Sequence, residues 1–167
     1  MSKARGPLYT VKLRRRREGI TDYVKRLALL RSSKTRLVVR KTNKFVIAQL
    51  VNYSPKGDRT VAGVSSRDLS EFGFDGKCNT PSAYLTGALV ARKGAARGVK
   101  EAICDFGRHA ASKGSLLYAV LKGASDAGLK VPFSQGKLPS ADRLEGKHLK
   151  GVPAGKFADA KKKIMGG

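Results

Sequence analysis

The spacing of apolar residues changes several times along this chain, and each change marks a different kind of element. After an arginine-rich start, Ile20, Val24, Leu27, Ala28 and Arg31 recur at i, i+4, i+7, i+8 and i+11. That period predicts a helix beginning near Thr21, with these residues on one face. The next forty residues switch to short β-branched runs, Arg36-Leu-Val-Val-Arg-Lys and Phe45-Val-Ile-Ala-Gln-Leu-Val-Asn, separated by the turn-forming Thr42-Asn43-Lys44. Two such runs around a polar turn predict a β-hairpin. Ser54-Pro-Lys-Gly-Asp reads as a further turn and Arg59-Thr-Val-Ala-Gly-Val-Ser-Ser as a third strand, which extends the hairpin into an antiparallel meander.

The second half alternates helix and strand. Thr80 and Pro81 predict an N-cap followed by proline in the first turn, and Tyr84, Leu85, Ala88, Leu89 and Arg92 continue at helical spacing until Gly94 or Gly98. Glu101-Ala-Ile-Cys-Asp-Phe reads as a short strand. Leu117, Val120, Leu121 and Ala124 form the apolar stripe of a further helix, with Gly128 as its C-cap. Strands followed by helix, strand and helix predict an α/β domain with a mixed sheet. From Pro132 onward the chain holds six Gly, three Pro and eight Lys or Arg, so this tail is expected to pack weakly, with short helices near Ser140 to Leu149 and Lys156 to Met165. The expected organisation is a basic arm over residues 1–20, an α/β domain over 21–131 and a tail over 132–167.

Charge adds what periodicity leaves out. Thirty-five Lys and Arg stand against twelve Asp and Glu, a formal net of +23, and self-repulsion on that scale calls for a polyanionic partner. The excess is uneven. Residues 1–44 carry 15 basic and 2 acidic residues, residues 45–91 carry 4 and 4, and residues 92–167 carry 16 and 6. A neutral folded centre with basic ends fits nucleic acid as the partner. The arm, with Arg14, Arg15, Arg16 and Arg17 in a row, is expected to be extended or disordered until it meets RNA. No apolar run approaches the ~20 residues of a membrane span, and the N-terminus lacks the apolar core of a secretory signal, so a soluble, intracellular protein is expected.

Catalytic readings find little support. Cys78 and Cys104 have no neighbouring Cys or His at metal-ligand spacing and read as reduced thiols. His109 and His148 pair with no nucleophile, and the glycines match neither a Walker loop nor a dinucleotide fingerprint. A two-metal nuclease needs several converging carboxylates, for which Asp105 at a strand end is the single anchor. No cofactor and no small-molecule substrate are expected. The basic hairpin points elsewhere, because Arg36, Arg40, Lys41 and Lys44 stand beside Asn43 and Gln49, with Tyr23, Tyr53 and Phe45 near enough in sequence to stack on unpaired bases. Tyr23 is expected to be the most exposed of these aromatics.

Five ordered motifs carry a resemblance. Arg14-Arg-Arg-Arg-Glu-Gly-Ile-Thr-Asp-Tyr, Arg36-Leu-Val-Val-Arg-Lys-Thr-Asn-Lys, Ala48-Gln49, Pro81-Ser-Ala-Tyr-Leu-Thr-Gly and Gly123-Ala-Ser-Asp-Ala-Gly-Leu-Lys-Val-Pro resemble the L-eighteen family of large-subunit ribosomal proteins, from about Gly6 to Pro132. The resemblance implies a three-layer α/β/α fold of the ribonuclease-H-like type in a structural protein of the cytoplasmic ribosome. It also implies binding to 5S rRNA in the central protuberance, with 23S rRNA and neighbouring large-subunit proteins as further partners. The arginine-rich start and the Tyr-Leu-Thr-Gly helix resemble the archaeal form. Family contacts map onto Arg14, Arg15, Arg16, Arg17, Tyr23, Arg26, Arg36, Arg40, Asn43, Lys44 and Gln49, to which the hairpin reading adds Lys41. Phe45 stands where the family commonly has His, so a polar contact there becomes stacking or packing. The region after Pro132 matches only loosely. Two other readings compete: an RNA-processing nuclease centred on Asp105, and a nonspecific polyanion binder.

Overall fold

The computed structural model describes residues 6–149 and 154–166. The first five residues of the expected arm, and residues 150–153 and 167 of the expected tail, lie outside that range.

The meander forms as its sequence dictates. Strands β1 (Arg36–Lys41) and β2 (Val46–Asn52) pair antiparallel from Arg36↔Val51 to Lys41↔Val46, and β3 (Arg59–Ser65) adds to β2 from Ile47↔Ser65 to Asn52↔Arg59. The β2–β3 register shifts between Leu50 and Val51. Strand β4 (Ile103–Asp105) joins the other side of β1 in parallel, giving the order β3-β2-β1-β4. The expected strand from Glu101 to Phe106 thus shrinks to three residues, with Glu101 reaching only a single bridge to Lys130.

Alternation decides which face is covered. Leu37 and Val39 of β1, Val46, Ala48 and Leu50 of β2, and Ala62 and Val64 of β3 are buried under two helices, α3 (Thr80–Ala95) and α4 (Leu116–Asp126). Asn79 caps α3 by accepting from the Ser82 N–H at 2.9 Å, one residue earlier than the expected Thr80, and Pro81 occupies the first turn. Between β3 and α3 the chain makes a 3-10 helix, Ser66–Phe72, closed at its start by a reciprocal Ser65–Asp68 capping box. α3 and α4 cross at glycines. A Cβ on Gly87 would overlap the Val120 carbonyl, and one on Gly123 would overlap the Tyr84 carbonyl, so each helix presents a bare backbone to the other.

On the opposite face lies the short helix α2 (Tyr23–Leu30), preceded by a single turn, α1 (Arg14–Arg17). The Asp22 carboxylate caps α2 by accepting from the N–H groups of Val24 and Lys25. The expected apolar stripe does not face the sheet: Ile20, Val24 and Leu27 are 51%, 76% and 54% exposed, while Tyr23, Arg26, Leu29 and Leu30 are half-buried. In this orientation Arg26 reaches a carboxylate, an interaction that apolar periodicity cannot register. With helices on both sides of a mixed sheet, the architecture is the expected three-layer α/β/α.

The tail forms helices near both expected positions but does not pack weakly. Beyond a short helix α5 (Ala141–Glu145), helix α6 (Ala154–Gly166) buries Phe157, Ala160 and Ile164 against α3. The Phe157 ring lies 5.7 Å from that of Tyr84, and Arg92 donates to the carbonyls of Lys163 and Ile164. Three apolar residues at i, i+3 and i+7 outweigh the surrounding lysines, because full burial of Phe157 and of Ile164 stabilises by roughly 1.5–3 kcal/mol each.

Candidate nucleic-acid interface

The tip of the hairpin is built by Thr42. Its N–H donates to the Phe45 carbonyl at 2.9 Å, its hydroxyl donates to the same oxygen at 2.8 Å, and its Oγ1 accepts from the Phe45 N–H at 3.0 Å. This tight loop leaves Lys41, Asn43 and Lys44 exposed. Phe45 is half-buried, with the Arg67 guanidinium 5.9 Å from its ring centre, so its role is packing against a cation. Tyr53 rather than Tyr23 is the exposed tyrosine of this region, at 54%.

The arm approaches the same end. Arg14, Arg15, Arg16 and Arg17 are all exposed in one helical turn, in place of the expected extended chain. Arg14 pairs with Glu18 at 3.5 Å, and Arg15 donates to the Thr21 hydroxyl at 2.8 Å. Arg16 and Arg17 meet no carboxylate among the described residues. Arg15, Arg40, Arg108 and His109 line a common groove, and His109 Nε2 accepts from the Lys41 N–H at 3.4 Å, so arm and hairpin are continuous through the loop after β4.

Between them runs a ladder of alternating charge on the α2 side of the sheet. Arg26 Nη2 lies 2.8 Å from Asp58 Oδ2, which also takes Arg36 Nη2 at 2.6 Å. Arg36 Nη1 reaches Asp105 Oδ2 at 3.2 Å, and Asp105 Oδ1 takes Arg40 Nη2 at 3.2 Å. Arg40 Nη1 further donates to the main-chain carbonyls of Asp105 and Val39 at 2.7 and 2.8 Å. Burial on its own would raise Asp58, but the Arg36 hydrogen bond and the charges of Arg36 and Arg26 overcome it and hold the carboxyl below its ordinary value. Asp105 also accepts from the Gly107 N–H at 2.8 Å, so its carboxylate is occupied on every side by an internal structural job. Burial pushes the neighbouring Cys104 thiol up, away from reactive thiolate.

These contacts sort the twelve candidate residues. Arg14, Arg15, Arg16, Arg17, Lys41, Asn43 and Lys44 stand in solvent, and Arg26 and Arg40 keep 38% and 40% of their side-chain surface exposed at the margin. Tyr23 and Gln49 are half-buried, Gln49 lying alongside Gly63. Arg36 does not belong with the exposed residues: its side chain is 4% exposed and spent on two carboxylates, so it cannot reach a phosphate. Sequence reasoning missed Arg67, Arg108 and His109, which β3, β4 and their following segments deliver to the same end. Arg67 stands alone in sequence and Arg108-His109 is only a pair, without the run of four that marks the arm.

Comparison with known proteins decides what this surface belongs to. Residues 8–99 match the family model of ribosomal large subunit proteins 60S L5 and 50S L18. The chain is also 51% identical over 147 residues to the large ribosomal subunit protein uL18 of Korarchaeum cryptofilum (strain OPF8), covering 87% of this chain and 75% of that relative. The chain belongs to this ribosomal protein family. Membership makes it a structural protein of the large subunit of the cytoplasmic ribosome and not an enzyme, and the similarity is to an archaeal form. This chain's Arg14–Arg17 run and its hairpin both fall within the matched segment.

Proposed function

We propose that the chain binds 5S rRNA and helps hold it in the central protuberance, using the arm and the hairpin tip as one continuous surface. The observation that carries this reading is the separation of charge on the α2 side of the molecule. The ladder consumes Asp58 and Asp105 internally, while Arg16, Arg17, Lys41 and Lys44 stay exposed and meet no carboxylate among the described residues. Exposed arginines give bidentate phosphate contacts, and a protruding hairpin of Asn and Lys reaches loops and sugar hydroxyls, which is how structured RNA is recognised. Arg26 and Arg36 act by holding α2, β1 and β4 in place. Contacts to 23S rRNA and neighbouring large-subunit proteins fall to the remaining basic surface.

The test is the salt dependence of 5S rRNA binding. Each phosphate contact contributes a log–log slope of about −0.7 to −0.9, so Arg16→Ala with Arg17→Ala is expected to flatten the slope by roughly two contacts. Lys44→Ala is expected to flatten it by about one. Variants that bind with the wild-type slope and affinity would remove arm and hairpin from the interface.

A further inference from the structure

A groove of about 740 Å³ opens between α2 and the loop that follows β4, where the arm and the hairpin meet. Its volume is in the ~300–1,000 Å³ range of sites that enclose a small molecule. Ile20, Ala28 and Leu29 on the α2 side and Phe106 after β4 supply its apolar surface, and the Phe106 ring packs edge-on against Tyr118 at 5.7 Å. The rim is cationic. Arg15 and Lys25 stand on one side and Arg108 on the other, with the Arg108 guanidinium packed close to Gly19. Both carboxylates in the lining are already engaged, Asp22 by the N-terminal amides of α2 and Asp105 by Arg36 and Arg40.

Apolar and aromatic side chains bordered by cations suit a flat base carrying an anionic phosphate. We propose that the groove seats a single unpaired nucleotide of the bound RNA, its base between α2 and Phe106 and its flanking phosphates on Arg15 and Arg108. This rests on the RNA-binding reading above and adds to it a site for base contact, alongside the phosphate contacts of the arm and hairpin. α2 suits the role, since none of its residues is fully buried and Arg26 ties it to Asp58, so the helix can settle onto an inserted base.

Ala28 lines the groove and is exposed, so Ala28→Trp fills the slot without removing a charge or a core contact. The variant is expected to fold as wild type by circular dichroism and urea denaturation. It should bind 5S rRNA about fivefold or more weakly, the contribution of one stacked base, with an unchanged salt slope. Arg108→Ala is expected instead to flatten the slope by about one contact. A folded Ala28→Trp protein that binds as tightly as wild type overturns the proposal. Should that variant unfold, ultraviolet crosslinking of the wild-type complex decides: an unpaired nucleotide joined to peptides from residues 15–29 or 104–111 supports the groove, and crosslinks confined to other peptides overturn it. Failure of the underlying reading looks different, because wild-type protein would then show no preference for 5S rRNA over a scrambled RNA of equal length.

Discussion

Arg36 donates to Asp105 across the parallel pairing of β1 and β4, at 3.2 Å, with side chains only 4% and 9% exposed. A second carboxylate, Asp58, meets the same guanidinium from the turn before β3. One arginine thus fixes the relative positions of three segments. Buried ion pairs gain little over an apolar pair, but losing one partner strands the others in low dielectric. Arg36→Ala is therefore expected to lower stability by about 3–5 kcal/mol in urea denaturation. Arg16→Ala with Arg17→Ala should change stability by less than about 0.5 kcal/mol, because those side chains touch no carboxylate among the described residues.

Asp58 links that ladder to pH. Its folded value lies below the ordinary carboxylate value, so its contribution is fully present above about pH 4 and is lost as pH falls through the depressed value. The urea midpoint of the wild type is expected to fall between about pH 5 and pH 2, and Asp58→Asn should flatten that acid limb while lowering the midpoint at neutral pH. An acid limb of unchanged steepness in the variant would take Asp58 out of the account.

The contact between α3 and α4 depends on the absence of two side chains. Gly87→Ala places a Cβ against the Val120 carbonyl, where backbone rather than a flexible side chain must yield, so a loss of about 1–3 kcal/mol or more is expected. Gly136→Ala, where a Cβ meets open space, serves as the control and should be nearly neutral in the same thermal melt.

Helix α6 is expected to be part of the cooperative fold. Ile164→Ala removes a side chain with no exposed surface and should cost about 2–5 kcal/mol, with a single unfolding transition by both far-ultraviolet circular dichroism and Tyr fluorescence. A separate early transition would instead mark α6 as an independent attachment.

The readable parts of this chain are those in which one physical signal dominates. Alternation in β1 and β2 and the polar turn between them specify the hairpin, and the stripe of Leu117, Val120, Leu121 and Ala124 specifies α4. Where two signals compete, apolar period alone misleads. The stripe of Ile20, Val24 and Leu27 suggests a core-facing side of α2, but those residues stay exposed and the half-buried side of the helix carries Arg26, paired with Asp58. The lysines around Phe157, Ala160 and Ile164 hide a core contact in the tail. For the interface, runs of charge on the arm and hairpin are visible as composition. The fate of Arg36 depends on Asp58 and Asp105, 22 and 69 residues away, and only folding brings them together.

The most direct measurement is a competition titration of the protein against 5S rRNA, a scrambled RNA of equal length and tRNA, in salt high enough to suppress phosphate-only binding. The account predicts a clear preference for 5S rRNA that is weakened by Lys44→Ala and by the paired Arg16→Ala and Arg17→Ala substitutions. Equal binding to all three RNAs would contradict it and leave the basic surface a generic contact for polyanions.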